Sequence, residues 1–450
     1  MLFSSQRASA SRHGVATSET RAPIGYAVAA LNKLAQSDLL DKTGLRKQTE
    51  HLVYTTTRGG FRTAAAAGRA FAKKKSSAPG VRSATATSSG LFDLTPTEDE
   101  QMLVDVVGQL AAEVVRPAAS AADDACATPD DVLAAGIELG LPVLGVPEKL
   151  GGISDERTAV ATTLVAEALA KGDMGIAVAT LASGAVATAI SLWGDDGQQQ
   201  TYLPAFAGPT PPVAALALSE PTVLFDALSP STVATRADSG YTLSGTKSAV
   251  VRGDECELFV VGALLDGRPA LFLVPSDPTT IQVEADPSMG VRAAGMAKVT
   301  FDAASAELLG DTDAAAYTEA VRLSRIGWCA LAVGTAQAVL DYVTVYVKER
   351  EAFGEPIAHR QSVAFMVADI AIELQAMRLL TWRAASRAAA GEEFAREAAL
   401  ARRACAEKGM KIGLDGVQLL GGHGFVKEHP VERWYRDLRA VGVMEGGVLV

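Results

Sequence analysis

Cysteine is scarce and scattered in this chain. Its 450 residues contain four, Cys126, Cys256, Cys329 and Cys405. They are too far apart for a paired motif, which excludes a disulfide framework or cysteine zinc site and predicts reduced core thiols in a cytosolic protein. The five histidines fall at no metal-ligand spacing, so no metal is expected. Aromatic residues make up 6% of the chain against 48% hydrophobic residues, so the core must be built from Ala, Val and Leu. No G-x-G-x-x-G opens a helix after a strand, which argues against a dinucleotide fold of that kind. Nor does any apolar run read as a membrane span of roughly 18 residues. The stretch from Ile176 to Trp193 comes nearest, and its Thr180, Gly184 and Thr188 suit a buried helix better.

What is present begins with size. At 450 residues the chain exceeds one compact core, and about three domains is the expectation. Charge is split unevenly. Residues 1–90 hold 14 Lys and Arg against 4 Asp and Glu, a balance of +10, while the rest holds 27 against 48, a balance of −21. A basic arm on an acidic body suits docking on an anionic surface or service as a solubilising tail. Residues 1–24 are Ser-, Arg- and Ala-rich without an apolar signal core, a composition shared by disordered arms and transit peptides. From Ile24 to Lys75 helical periodicity suggests a weak membrane-surface contact; Ser76 to Gly90 reads as a linker. No nucleic-acid partner is expected. The localisation this implies is cytoplasmic, at most peripheral to a membrane, or mitochondrial in a eukaryotic source.

Thr95, Pro96 and Glu98 form a capping-box pattern opening the folded body, with a helix expected to run to Pro117. Further helical patterns cover 130–139, 155–171, 174–192 and 196–206. After Pro211 short apolar runs follow at 213–218, 241–243, 258–264, 270–274 and 298–301, with Asp266-Gly267 as a hairpin signal. Helical periodicity returns over 316–350, 362–389 and 393–420. The expected fold is mainly α with a small β domain. It has a basic extension and linker (1–90), an N-terminal helical domain (91–210), a middle β-barrel-like domain (211–312) and a C-terminal four-helix bundle (313–450).

The most informative stretch lies near the end. Gln418, Leu419 and Leu420 precede Gly421, Gly422, His423 and Gly424, and Glu445 with Gly446 and Gly447 follows an apolar run, Val441, Val443 and Met444. Apolar surroundings raise a carboxylate towards working pH, and glycine lets a ligand approach the backbone, so Glu445 suits a general base; it also reads as a surface glutamate. The three glycines equally well end a helix. Arg350, Phe353 and Gln361 sit between two long helices, where an arginine suits a pyrophosphate or simply compensates a helix dipole. Ser219-Glu220-Pro221 closes an apolar strand.

Together these residues resemble the acyl-CoA dehydrogenase flavoprotein family over roughly residues 91–450. The resemblance implies FAD as cofactor, contacted by Leu218, Ser219 and Gly447. In a partner subunit's cofactor site it implies Arg350, Phe353, Gln361 and the run Gln418, Leu419, Leu420, Gly421 and Gly422. It implies Glu445 as the base removing the α proton of an acyl-CoA while flavin takes the β hydride, with the Glu445 N–H holding the thioester oxygen. Arg325 and Gly446 would face the thioester. The family's other base position falls on Ser324, which cannot act as one. The implied product is the trans-2-enoyl-CoA of fatty-acid β-oxidation or related catabolism, and the acceptor an electron-transfer flavoprotein. The implied assembly is a homodimer, a homotetramer or a hetero-oligomer.

The sequence departs from the family at three places. Thr222 to Asp226, including Phe225, replaces a Gly-rich loop. Ala249, Val250 and Val251 stand where many relatives have Trp-Ile-Thr or Trp-Ile-Ser. Relatives carry a further helix beyond the base, which a chain stopping at Val450 lacks. These departures favour an alternative, a flavin-poor structural or regulatory subunit of a hetero-oligomeric enzyme. A flavin oxidase of the same fold is a third reading.

Overall fold

The structure, a computed structural model, describes residue 94, residues 96–152 and residues 159–447. The readings made for residues 1–90, including the membrane-surface segment and linker, lie outside the described residues, as does Thr95.

The first helix, α1, spans Glu98–Leu110 and is capped by Thr97: its side chain accepts from the Glu100 N–H, and Glu100 reaches back to the Thr97 N–H at 2.8 Å. The capping box is therefore Thr97 with Glu100, two residues later than the Thr95–Glu98 pattern, and Pro96 precedes the cap instead of opening the helix. The helix also passes Pro117 instead of ending there. A π-helical turn over Ala111–Val115 intervenes before α2, Arg116–Ala125, with Pro117 in its first turn. The widened turn relieves the clash between the proline ring and the preceding carbonyls, so the chain continues.

Helices α3 (Asp130–Glu138), α4 (Ala159–Ala170), α5 (Met174–Trp193) and α6 (Asp196–Phe206) follow. By length and composition α5 is apolar enough to cross a membrane, as is the later Ala314–Glu349, contrary to the expectation that no run qualifies; 61% of each apolar window is buried within the protein. Both are core helices here. Asp173 caps α5, accepting from the Ile176 N–H at 3.1 Å while its other oxygen receives Arg433 Nε at 2.9 Å.

Seven strands come next: β1 (Ala214–Ala217), β2 (Val233–Arg236), β3 (Tyr241–Val251), β4 (Leu258–Leu265), β5 (Arg268–Pro275), β6 (Ile281–Ala285) and β7 (Met296–Leu308). β2 and β6 were not legible as strands: they are short, four and five residues, with mostly exposed side chains. β2, β3, β7, β5 and β4 pair in a closed ring, with β1 added parallel to β4 and β6 antiparallel to β7. The Asp266-Gly267 turn joins β4 to β5 with both residues at positive φ, 51° and 78°, the geometry of a tight hairpin turn.

The last part contains three long helices, α7 (Ala314–Glu349), α8 (Gln361–Ala389) and α9 (Ala395–Leu420), and the short α10 (Val431–Asp437). α7 has 36 residues, so it is about 54 Å long. One core joins these helices to the N-terminal ones, through Val165, Leu169, Ile176, Ile326, Leu374 and Trp434. At Gly334 α7 approaches α4 so closely that a Cβ would lie 2.0 Å from the Glu167 carbonyl oxygen. Three cysteines are buried and reduced, but Cys126 is exposed at the left-handed end of α2, so it is not a core residue as expected.

Candidate active site

Glu445 follows a tight helical turn, Ala440–Gly442, at positive φ, 56°, a conformation that strains a residue with a Cβ. Four contacts hold it there. Arg325, on α7, donates from Nε at 3.1 Å and from Nη2 at 2.7 Å to the Glu445 carbonyl oxygen. Arg402, on α9, donates to the Gly446 carbonyl oxygen. The Glu445 N–H donates to Ser219 Oγ at 3.2 Å, and the Gly447 N–H donates to the Phe225 carbonyl at 3.2 Å. Gly446 has φ 92°, and a Cβ there would meet Phe225 O at 2.8 Å. Glycine is therefore required under the 221–229 loop.

The carboxyl group itself is buried, 6% exposed. Ser324 Oγ donates to Oε1 at 2.9 Å, and Oε2 is buried without a partner. Burial pushes Glu445 above the usual carboxylate range; the Ser324 hydrogen bond, the Arg402 charge, the nearby Trp328 indole and the Arg325 charge pull the other way. A carboxylate with one oxygen oriented by a hydroxyl and the other free can accept a proton from a group placed against it.

Such a place exists. Glu445 lies on the wall of a cavity of about 470 Å³ between the helical domain, the β domain and α7, and it is the sole charged residue among the described lining residues. Val178, Leu181, Ala182, Ala185, Ala189 and Leu192 give the cavity one stripe of α5, roughly 21 Å of helix. α7 contributes Leu323, Ser324, Gly327, Trp328 and Leu331, and the β domain contributes Leu218, Ser219, Ser248, Ala249 and Val251. The register shift in β3 between Lys247 and Val250 bulges Ser248 and Ala249 towards it.

Beneath that wall lies a buried ion pair. Lys247 Nζ, fully buried, donates to Glu220 Oε1 at 2.8 Å, and Glu220 also accepts from the backbone N–H and hydroxyl groups of Ser231 and Thr232. Burial would raise the Glu220 carboxyl, but Lys247 and these donors hold it down at about 2. The Ser-Glu-Pro segment thus anchors the strand end through Glu220 and offers Ser219 to the site.

The structure brings Leu218, Ser219, Arg325, Glu445, Gly446 and Gly447 together. Arg325 and Gly446 do not line the cavity: Arg325 holds the base loop by the Glu445 carbonyl, and Gly446 is held in that loop by Arg402. Arg350, Phe353, Gln361, Gln418, Gly421 and Gly422 lie elsewhere. They lie at the far end of α7, the start of α8 and the end of α9, all exposed, Phe353 95% so, while Leu419 and Leu420 are buried. Arg350 caps the helix that carries Ser324, roughly 39 Å further along. None of these residues lines the cavity beside Glu445. Ser248, Ser324, Trp328 and Arg402 belong to the site without having been singled out as working parts. Arg402 left one signal, a charge inside the apolar stripe Ala398, Ala401, Cys405 of α9. Of Arg433, Arg436 and Asp437, the first pairs with Asp173, the second with Asp123 and Glu432, and Asp437 accepts from the Val291 N–H. These contacts join the C-terminal segment to the other two parts.

FAD, the cofactor implied by the resemblance, fits what is here. A planar ring needs an apolar slot with a few polar edges, and Leu218, Ala249 and Val251 beside Ser219 and Ser248 provide one opposite the unpartnered Glu445 Oε2. Ala249 and Val251 leave that slot without an indole or hydroxyl of their own. Among the described residues no group of three metal-ligating side chains exists.

Comparison with known proteins agrees with this architecture. Residues 97–208, 215–304 and 314–447 match the family models for the acyl-CoA dehydrogenase N-terminal, middle and C-terminal domains. The chain is 31% identical over 361 residues to the short-chain specific acyl-CoA dehydrogenase of Rattus norvegicus, covering 78% of this chain and 87% of that one. It is 30% identical over 325 residues to the short-chain specific enzyme of Megasphaera elsdenii, covering 69% and 84%. Among solved structures, butyryl-CoA dehydrogenase from Megasphaera elsdenii superposes with a TM-score of 0.74 at 26% identity, covering 80% of this chain and 97% of that one. A chain solved in work on the electron transferring flavoprotein of Acidaminococcus fermentans superposes with a TM-score of 0.74 at 28% identity, covering 80% and 97%. FAD is the cofactor of the matched family.

Proposed function

The chain belongs to the acyl-CoA dehydrogenase family, and from that premise we propose that it oxidises the Cα–Cβ bond of a fatty acyl-CoA to the trans-2-enoyl-CoA. The observation that carries this reading is the Glu445 carboxylate, buried on the wall of an apolar cavity with Oε2 free. When bound, FAD supplies the hydride acceptor. Glu445 takes the α proton, with Ser324 fixing Oε1 so that Oε2 faces the substrate. The Glu445 N–H, which donates to the Ser219 hydroxyl, is the donor within reach of a thioester oxygen laid beside the carboxylate; one such donor is typically worth about 10²–10³ in rate. The acyl tail runs along the α5 stripe, where alanines leave room and water is excluded. Electrons pass onward to an electron-transfer flavoprotein. The reaction serves fatty-acid β-oxidation or related acyl-CoA catabolism. Arg350, Phe353, Gln361 and the Gln418–Gly422 segment act on the FAD of a second copy or a related chain, which makes the working unit a dimer or larger.

The test is anaerobic titration of the purified protein with butyryl-, octanoyl- and palmitoyl-CoA. Bleaching of the flavin band by at least one of them is expected. A yellow protein that none of the three bleaches would overturn the reading. The second reading, a flavin-poor subunit, is favoured by Phe225, whose loop binds the base's own loop, and by Ala249. It predicts a colourless protein that acquires no flavin when FAD is added. An oxidase would bleach and then form peroxide in air.

A further inference from the structure

Arg402 is a guanidinium in the wrong place for a surface helix. It occupies the buried seam of α9 between Ala401 and Cys405, and is 4% exposed. Nη2 donates to the Gly446 carbonyl oxygen, Nη1 is buried with no partner, and among the described residues no carboxylate lies at ion-pairing distance. Burying a cation unpaired is costly, and a protein keeps one where a nearby anion compensates it. The ionisable groups acting on Arg402 are Arg325, Cys329 and Glu445; burial and Arg325 draw it down to about 10, and the other two oppose them. Glu445 is the one carboxylate in that set.

The groups that face Glu445 can be named from each element. α7 offers Ser324, Arg325, Trp328 and the Tyr317 phenol; α9 offers Arg402; β3 offers Lys247, already paired with Glu220. Arg325 has both of its donor contacts on the Glu445 carbonyl. Arg402 alone combines a grip on the next carbonyl with a free N–H and an uncompensated charge.

We propose that Arg402 is a positioning residue for the base: it holds the Glu445–Gly446 loop by its carbonyl and keeps the Glu445 carboxylate ionised inside the apolar cavity. The proposal rests on Glu445 being the base, but its stability test does not. Two measurements on the FAD-loaded protein decide it. In the pH profile of flavin reduction by acyl-CoA, Arg402→Met is expected to move the acid limb up by about one unit, with the rate recovering at high pH; Arg402→Lys, which restores the charge, leaves the limb near wild type. An equal loss at every pH in Arg402→Met would show a merely structural contact and overturn the proposal. The second measurement needs no turnover. Glu445→Gln removes the compensating anion, so it should lower the melting temperature, and adding Arg402→Met to it should recover part of the loss. A Glu445→Gln protein as stable as wild type, or no recovery in the double variant, overturns the proposal even if the Arg402 single variants do not fold.

Discussion

The two ends of α7 are built to opposite rules. Near its start, at Ser324 and Arg325, the base loop is gripped from other parts of the chain, by Arg325 and Arg402 on its carbonyls, Ser219 on its N–H and Ser324 on one carboxylate oxygen, and the other oxygen is left free. Near its end, Arg350, Phe353 and Gln361 stand exposed, as do Gln418, Gly421 and Gly422 at the end of α9, with the Arg360 guanidinium 5.6 Å from the Phe353 ring. The first region is buried and held by hydrogen bonds; the second leaves its side chains exposed. A site that does chemistry needs dry, fixed groups, whereas the exposed end, on the proposed reading, serves the cofactor of a neighbour.

The sharpest way to break this comparison is at the closed end. Glu445→Gln should retain FAD and lose about 10²–10⁴-fold in flavin reduction by acyl-CoA, the contribution of a positioned base; stopped-flow bleaching within tenfold of wild type would remove Glu445 from that role. Next is the pair under the wall. Glu220→Gln strands Lys247 in the core and should cost about 3–5 kcal/mol in denaturant unfolding. The same pair sets an acid sensitivity. The Glu220 carboxyl is held at about 2 in the folded protein against an unfolded value near 4.3, so its stabilisation is present above the unfolded value and is lost as pH falls through that window. Unfolding monitored from pH 5 to 2 should show that loss in wild type and much less of it in the Glu220→Gln protein.

At the open end the effects are smaller and of another kind. Arg350→Ala should weaken flavin retention by about tenfold, one bidentate phosphate contact, while leaving the Glu445 site intact, and Phe353→Ser should lower the mass seen in solution at low concentration. If flavin retention and mass are both unchanged, the exposed cluster serves no neighbour. Smallest is Ser324→Ala. The hydroxyl favours the charged form of Glu445, so without it the folded pKa rises further; the rate should fall a few-fold near pH 6 and match wild type near pH 9. A uniform loss across pH would mean that the hydroxyl does not act on the base.

The order helix, small β, helix could be read from periodicity because each period is a local property of the chain: apolar residues at helical spacing before Pro211, short alternating runs to Gly310, helical spacing again after it. Strands β2 and β6 escaped because such short strands with mostly exposed side chains have no apolar pattern to detect. The passage through Pro117 escaped because the π turn that permits it is set by packing of α1 and α2. The cap at Thr97 was two residues from its expected place, since Thr95 and Thr97 offer the same chemistry and only the backbone geometry chooses between them.

The sequence by itself determined which side chains could do chemistry here: a lone glutamate among apolar residues and glycines, a Ser-Glu-Pro strand end, an arginine and phenylalanine between long helices. Tertiary structure decided how they are shared out. It turned Arg325 from the thioester to the backbone, put Arg402 behind the base from some forty residues away in sequence, and separated the Arg350 cluster from Glu445 by most of a helix. The reason is physical. Residue type sets what a group can donate, accept or ionise, whereas burial, distance and the charge of neighbours exist only once remote segments have packed together.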